Sequence, residues 1–153
     1  MKLFETSDDI KNLIYNEWDK TGLAQMGIEL KVISTPKAKT ILRANRANAT
    51  TNFLTKKDVI VTVFEEAFDR LTDEHKLILV IGLLSGISYD SEKDKLNVEG
   101  DFAKEIFRMR RKYDNYVDIA EESYIIIETI EDEERRRKEE ERLAKKEKRH
   151  KKQ

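Results

Sequence analysis

Cysteine is absent from the 153-residue chain, which excludes a disulfide framework and any thiolate-held zinc. Histidine occurs only at positions 75 and 150. Two imidazoles so far apart, with no cysteine near either, are a poor basis for a transition-metal centre. No apolar run approaches the ~18 residues of a membrane span. The opening Met1-Lys2-Leu3-Phe4-Glu5 has no signal-peptide apolar region. The expectation is a soluble cytoplasmic protein. No serine sits in a nucleophile-elbow context and no glycine-rich phosphate loop is present. No cofactor, membrane contact or small-molecule substrate is therefore expected.

Charge is what the chain has in excess. Charged residues make up 40%, against roughly 25% in ordinary globular domains. The formal net charge of −1 hides an asymmetry. Residues 131–153 hold 11 Lys/Arg against 8 Asp/Glu, whereas residues 1–130 hold 19 against 23. A mildly acidic body carries a basic tip. With so many carboxylates, no pair of them stands out as a general acid and base.

The length suits one domain plus an appendage. Ser7, followed by Asp8 and Asp9, reads as a helix start, and Ile10, Leu13, Ile14 and Trp18 form one apolar stripe ending near Gly22. Ile28, Leu30 and Val32 alternate with Glu29 and Lys31 as a half-buried strand, closed by Pro36, the only proline. Residues 37–45 read as a helix and 45–52, polar and small, as a loop. Residues 58–63 form a second strand and 65–71 a short helical turn. A helix over 73–86, capped by Thr72, is apolar almost all round from Leu77 to Leu84, which implies burial on most sides. Gly82 and Gly86 each weaken a helix by about 0.5–1 kcal/mol relative to Ala. Small residues there let a neighbouring element approach closely.

Asp90-Ser91-Glu92-Lys93-Asp94 has the look of a calcium loop but carries Lys95 where the loop needs glycine, so it reads as a polar hairpin turn. His75 reads as a surface residue. Residues 95–98 form a short strand. Phe102 to Lys112 reads as a helix with Phe102, Ile106, Phe107 and Met109 inward. Tyr113-Asp114-Asn115 breaks it, and a last helix runs from Tyr116 into the tail.

In the tail, Glu131–Arg135, Asp132–Arg136, Glu133–Arg137 and Glu134–Lys138 stand at i, i+4, each pair contributing about 0.2–0.5 kcal/mol. Leu143 is the only large apolar residue after Ile130, so a coiled-coil seam is absent. Residues 131–149 as a helix would reach roughly 28 Å into solvent. Three readings stand: a solvated tail, a tip that grips nucleic-acid phosphates, or a contact for a partner with an acidic face. The tip residues are Lys145, Lys146, Lys148, Arg149, Lys151 and Lys152. They have no aromatic neighbour for base stacking, so phosphate binding there would be nonspecific and salt-sensitive. A second cluster, Arg108, Arg110, Arg111 and Lys112, lies on the body. With Arg43, Arg46, Lys56 and Lys57 it reads either as solvated surface or as a patch for nucleic acid or an acidic partner.

One resemblance adds to this. Leu84, Ile87, Tyr89 and Asp90, the hairpin Ser91 to Val98, and Gly100-Asp101-Phe102 fall where putative metallopeptidases of bacteriophages, zincin-like in fold, carry matching residues. Segment 77–102 resembles that family in spacing. Its His-Glu-x-x-His window, which would hold Zn²⁺ on one helix face, here reads Gly82-Leu83-Leu84-Ser85-Gly86. The family's third histidine falls at or beside Gly100. The resemblance implies a degenerate, non-catalytic, phage-encoded member acting in the bacterial host cytoplasm, with an edge strand somewhere in 37–57. The expected fold is α+β: a small zincin-like domain over 1–130, its short sheet packed on helices, and a charged helical extension over 131–153. The expected function is binding or regulation of a host or phage macromolecule, without catalysis. The alternative is nonspecific nucleic-acid binding through the tail and the 108–112 cluster.

Overall fold

The computed structural model describes residues 2–152. Across them, six strands and six α-helices form an α+β fold. β1 (Phe4–Glu5), β2 (Leu30–Thr35), β3 (Leu42–Arg46) and β4 (Val59–Phe64) make a mixed sheet in the order β1-β2-β4-β3. β2 and β4 run parallel at its centre, with β1 and β3 antiparallel at the edges. The register places Leu30, Val32 and Ser34 beside Val59, Val61 and Val63, and all six are buried. The intervening residues Lys31, Ile33, Ile60 and Thr62 are only half-buried. The sheet is therefore covered on one face, which is why its strands alternate. β-Branched valines suit this pleated, packed surface.

Helices cover that face. α1 (Asp8–Lys20) buries Ile10, Ile14 and Trp18 along its stripe, and Gly22 takes the left-handed conformation just beyond its end (φ 79°). Ser7 precedes α1 but bonds through its backbone: its carbonyl accepts from Lys11 N, and its N–H donates to Glu65 Oε1. The stretch 37–45 is not helical, as the sequence suggested, but turns into edge strand β3. The loop expected over 45–52 contains the start of α2 (Ala49–Thr55), capped by Asn48, whose side chain accepts from Thr51 N. α3 (Glu65–Phe68) is one turn. α4 (Asp73–Leu84) is capped by Thr72, which accepts from His75 N, and ends before Gly86. Every residue from Leu77 to Leu84 is buried or half-buried.

β5 (Ile87–Asp90) and β6 (Lys95–Val98) form a separate hairpin. Asp90 Oδ1 accepts from the Glu92 and Lys93 amides, and Tyr89 Oη donates to Asp94. These carboxylates serve the turn.

α5 (Phe102–Met109) turns Met109 and Ile106 inward, but Phe102 and Phe107 are 40% and 55% exposed. The expectation that both phenylalanines point inward is thus corrected. Phe102 meets Tyr124 edge-on, and Phe107 sits beneath Arg110 and Arg111.

α6 (Tyr116–Lys151) is a single 36-residue helix. Its first half is core, burying Tyr116, Ile119, Ala120, Ile127 and Ile130. Ion pairs then hold it against the body: Glu131 to Lys39, Glu134 to Lys37, and Glu133 to Arg70 through two hydrogen bonds. Of the four i, i+4 pairs expected in the tail, Glu134–Lys138 forms at 3.2 Å. Glu131 and Glu133 turn to the body instead, and Asp132 meets Arg135. From Arg135 onward every described residue is exposed. Among the described residues, no helix is long and apolar enough to cross a membrane.

Candidate functional site

α4 and α6 meet at a glycine. Tyr116, the first residue of α6 and fully buried, lays its ring over Gly82. A Cβ on Gly82 would lie 2.8 Å from Tyr116 Cζ and closer still to its hydroxyl. The phenol continues past Gly82 and donates to Glu105 Oε2 on α5 at 2.7 Å. One hydrogen bond thereby ties α5 to α6 across α4. Gly86 is as confined: a Cβ there would lie 2.9 Å from the Glu99 carbonyl oxygen and 3.0 Å from Arg108 Nη2. Glu99 N in turn donates to the Gly86 carbonyl, closing the hairpin against the end of α4. The small residues at 82 and 86 thus admit close neighbours, and their face of α4 is packed interior.

Burial holds the Glu105 carboxyl above its ordinary value of 4.5, against the lowering influence of the Tyr116 hydroxyl and Arg108. Burial and the adjacent carboxylate push the Tyr116 phenol up as well, so it stays a donor. Below the ordinary carboxylate value, Glu105 is neutral in folded and unfolded chains alike. As pH rises the unfolded chain ionises first, and stability falls until the folded value is passed. Glu105→Gln keeps an acceptor for Tyr116 and removes the charge. It is expected to raise the melting temperature at about pH 7 and to match the parent near about pH 4. Thermal unfolding at the two pH values checks this, and an equal gain at both would refute the buried charge.

Beside this junction lies a cleft of about 850 Å³. Leu79 and Leu83 of α4 form part of its apolar lining, with Phe102, Tyr124 and edge strand β3 around it. Glu105 and Tyr116 reach its inner end, and Gly100 and Arg43 also line it. Among the described strands, β3 pairs with β4 alone. Ile41 O accepts from Phe64 N, and Ala47 N donates to Asp58 O. With the register between, the odd-numbered residues of β3 face β4. The N–H and C=O groups of Leu42 and Ala44 therefore point away from the sheet, along the cleft. Beyond the cleft lining, Arg46 at the end of β3 donates through Nη1 to the Leu96 carbonyl of β6 at 3.3 Å.

The positions at which the phage family carries histidine come near one another. Gly82 and Gly86 stand one turn apart, and Gly100 follows Glu99, which packs on Gly86. None offers a side-chain ligand, Leu83 lines the cleft, and the Tyr116 ring occupies the space over Gly82. These residues do not fit a zinc ion. Among the described residues, no three His, Cys, Asp or Glu side chains are gathered for a metal.

No family model, curated protein or solved structure matches the chain.

The basic residues singled out in the sequence fall into two separate groups. Arg108 is turned inward, with Nε donating to Ser85 Oγ and Nη2 buried. Arg110 and Arg111 stack on Phe107, and Lys112 lies over Tyr113. Lys145, Lys146, Lys148, Arg149, Lys151 and Lys152 are exposed on the far end of α6. At 1.5 Å per residue, the helix start next to the first group is about 44 Å from Lys145. Neighbouring cations are engaged locally: Lys57 with Glu29, Lys56 over Phe53, Arg46 with the hairpin. His75 is not a free surface residue, as its Nδ1 lies 2.6 Å from Glu122 Oε2 and joins α4 to α6. Tyr116 and Glu105 were not singled out by sequence reasoning, and the edge strand was expected only somewhere within 37–57. The one signal available was Gly82 itself, a glycine inside an apolar helix.

Proposed function

We propose that the chain is a non-catalytic binding protein that holds an extended segment of a partner protein along β3, in the cleft beside α4. The observation that carries this is the free edge of β3. Its Leu42 and Ala44 backbone groups are unpaired within the sheet and line an apolar cleft. An exposed edge is a template for one more strand, and natural proteins usually blunt such edges. An added strand would satisfy those groups, and its alternate side chains would enter the space between Leu83, Phe102 and Tyr124.

The non-catalytic part of this reading rests on the residues that occupy the junction. Glycine, leucine and a buried tyrosine replace what a zincin-like peptidase needs there. The spacing of Gly82, Gly86 and Gly100 in the fold supports the zincin-like reading, as does the edge strand beside α4. Together with the resemblance of residues 77–102 to phage proteins, this supports a phage-encoded, degenerate member whose partner is a host or phage protein.

The test uses a peptide selected from a random library on the full-length protein. Ala44→Pro removes one outward N–H, a position where a strand edge accepts proline without losing its inner partner. It is expected to weaken the selected peptide by at least about tenfold while leaving the melting temperature nearly unchanged. Equal affinity for both proteins would remove β3 from the site.

A further inference from the structure

We infer that the free half of α6 is a docking surface for the phosphate backbone of duplex nucleic acid, independent of the cleft. Because α6 is one unbroken helix to Lys151, the side on which each tail residue projects is fixed. Arg135, Lys138, Arg142, Lys145, Arg149 and Lys152 recur at intervals of three and four. At about 100° per residue they share an arc of roughly 100°, one stripe along the helix. Glu140 and Glu147 fall on the opposite side, and Glu139 and Glu141 border the stripe. Arg136, Arg137 and Lys151 lie on that far side as well, so what sets the stripe apart is that no acid from 135 to 152 falls within it.

The stripe continues onto the body. Lys37 and Lys39 share a shallow depression with Arg135 and Lys138. The two acids within it, Glu131 and Glu134, are already paired with those lysines and with Lys138. Further out, Arg142, Lys145 and Arg149 enter no ion pair among the described residues. At 1.5 Å per residue, the stripe from Arg135 to Lys152 runs about 26 Å. A duplex presents about eight phosphates per strand over that length. The tail from Arg135 to Lys152 has no aromatic residue, so it lacks the stacking platform that single strands use. A stripe of Lys and Arg with no Asn, Gln or apolar side chain among them meets the duplex through its phosphates, contacts that position the protein without reading sequence. This places Lys148 and Lys151, part of the basic tip in the sequence, off the binding face.

The experiment measures anisotropy of a labelled DNA duplex of about 20 base pairs, titrated with the full-length protein from about 50 mM salt upward. Two triple variants lose the same net charge: Arg142→Gln, Lys145→Gln, Arg149→Gln on the stripe, and Arg137→Gln, Lys148→Gln, Lys151→Gln off it. Glutamine is as good a helix former as the residues replaced, and circular dichroism confirms that the helix is kept. The stripe triple is expected to weaken binding at least about tenfold and to reduce the slope of log affinity against log salt by about 2.7, near 0.9 per lost phosphate contact. The off-stripe triple is expected to stay within about twofold of the parent. Equal losses in both triples would reduce the effect to net charge and overturn the proposal. So would no binding by the parent at low salt, or displacement of the duplex by polyglutamate at equal charge, which would indicate an acidic protein partner.

Discussion

Gly82→Ala is expected to destabilise the fold by about 2 kcal/mol, whereas alanine inside a helix ordinarily stabilises by about 1 kcal/mol over glycine. The reversal of sign is the test. The added methyl meets the Tyr116 ring, 2.8 Å from Cζ. That ring is fully buried and is held at its far end by Glu105, so it cannot swing aside as an exposed side chain would. Relief requires α4 and α6 to separate, which loosens the contacts of Ile78 with Ile119 and Met109. Chemical denaturation reads the effect, and a variant at least as stable as the parent would show that Gly82 is only a poor helix residue.

Tyr116→Ala is expected to lose more, about 3–5 kcal/mol, the range for removing a fully buried aromatic ring. The ring packs with Ile78, Met109 and Ile119 and covers Gly82. Its loss opens a void next to the cleft and leaves the Glu105 carboxyl without its hydrogen-bond partner. The two substitutions touch one contact, so their effects should not add. In the double variant, the methyl introduced by Gly82→Ala should fill part of the space vacated by the phenol, giving a cost below the sum of the single ones. Simple additivity in the same denaturation series would mean that the residues do not meet.

Elements with a strong local pattern were legible in the sequence. The Ile10, Ile14, Trp18 stripe became α1, the valine run became β4, and the charged tail became the end of one long helix. β3 was not legible in its local pattern, and only the resemblance put an edge strand within 37–57, because Leu42-Arg43-Ala44-Asn45-Arg46 has neither β-branched residues nor aromatics. It is a strand because β4 pairs with it, and of the three residues it turns toward the covered face, Leu42, Ala44 and Arg46, only the first two are apolar. α2 escaped for another reason. Its Phe53 and Leu54 are about three-quarters exposed, so no apolar face marks it, and it ends on Lys56 in the left-handed conformation where glycine is usual. Phe102 and Phe107 misled because aromatic residues were equated with core. In this short helix Met109 and Ile106 take the interior, and Phe107 is shielded by arginines instead.

The candidate site was half legible. A glycine in the middle of Leu77 to Leu84 announces that something approaches closely, but its identity is a long-range fact that no local periodicity carries. Three of the four i, i+4 ion pairs failed similarly, and only Glu134–Lys138 formed. Helical spacing made them available, yet Glu131 and Glu133 found Lys39 and Arg70 on the body. The spacing of basic residues at three and four was present in the sequence throughout. It acquires meaning only once one continuous helix fixes the direction in which each residue projects.

The claim that an extended segment adds to β3 is tested most directly by amide hydrogen exchange at Leu42 and Ala44, with and without saturating selected peptide. The account predicts that both amides, which point outward from the sheet, become protected by at least about tenfold on binding. It also predicts that the peptide is recovered uncleaved. Protection elsewhere with these two amides unchanged, or cleavage of the peptide, would contradict it.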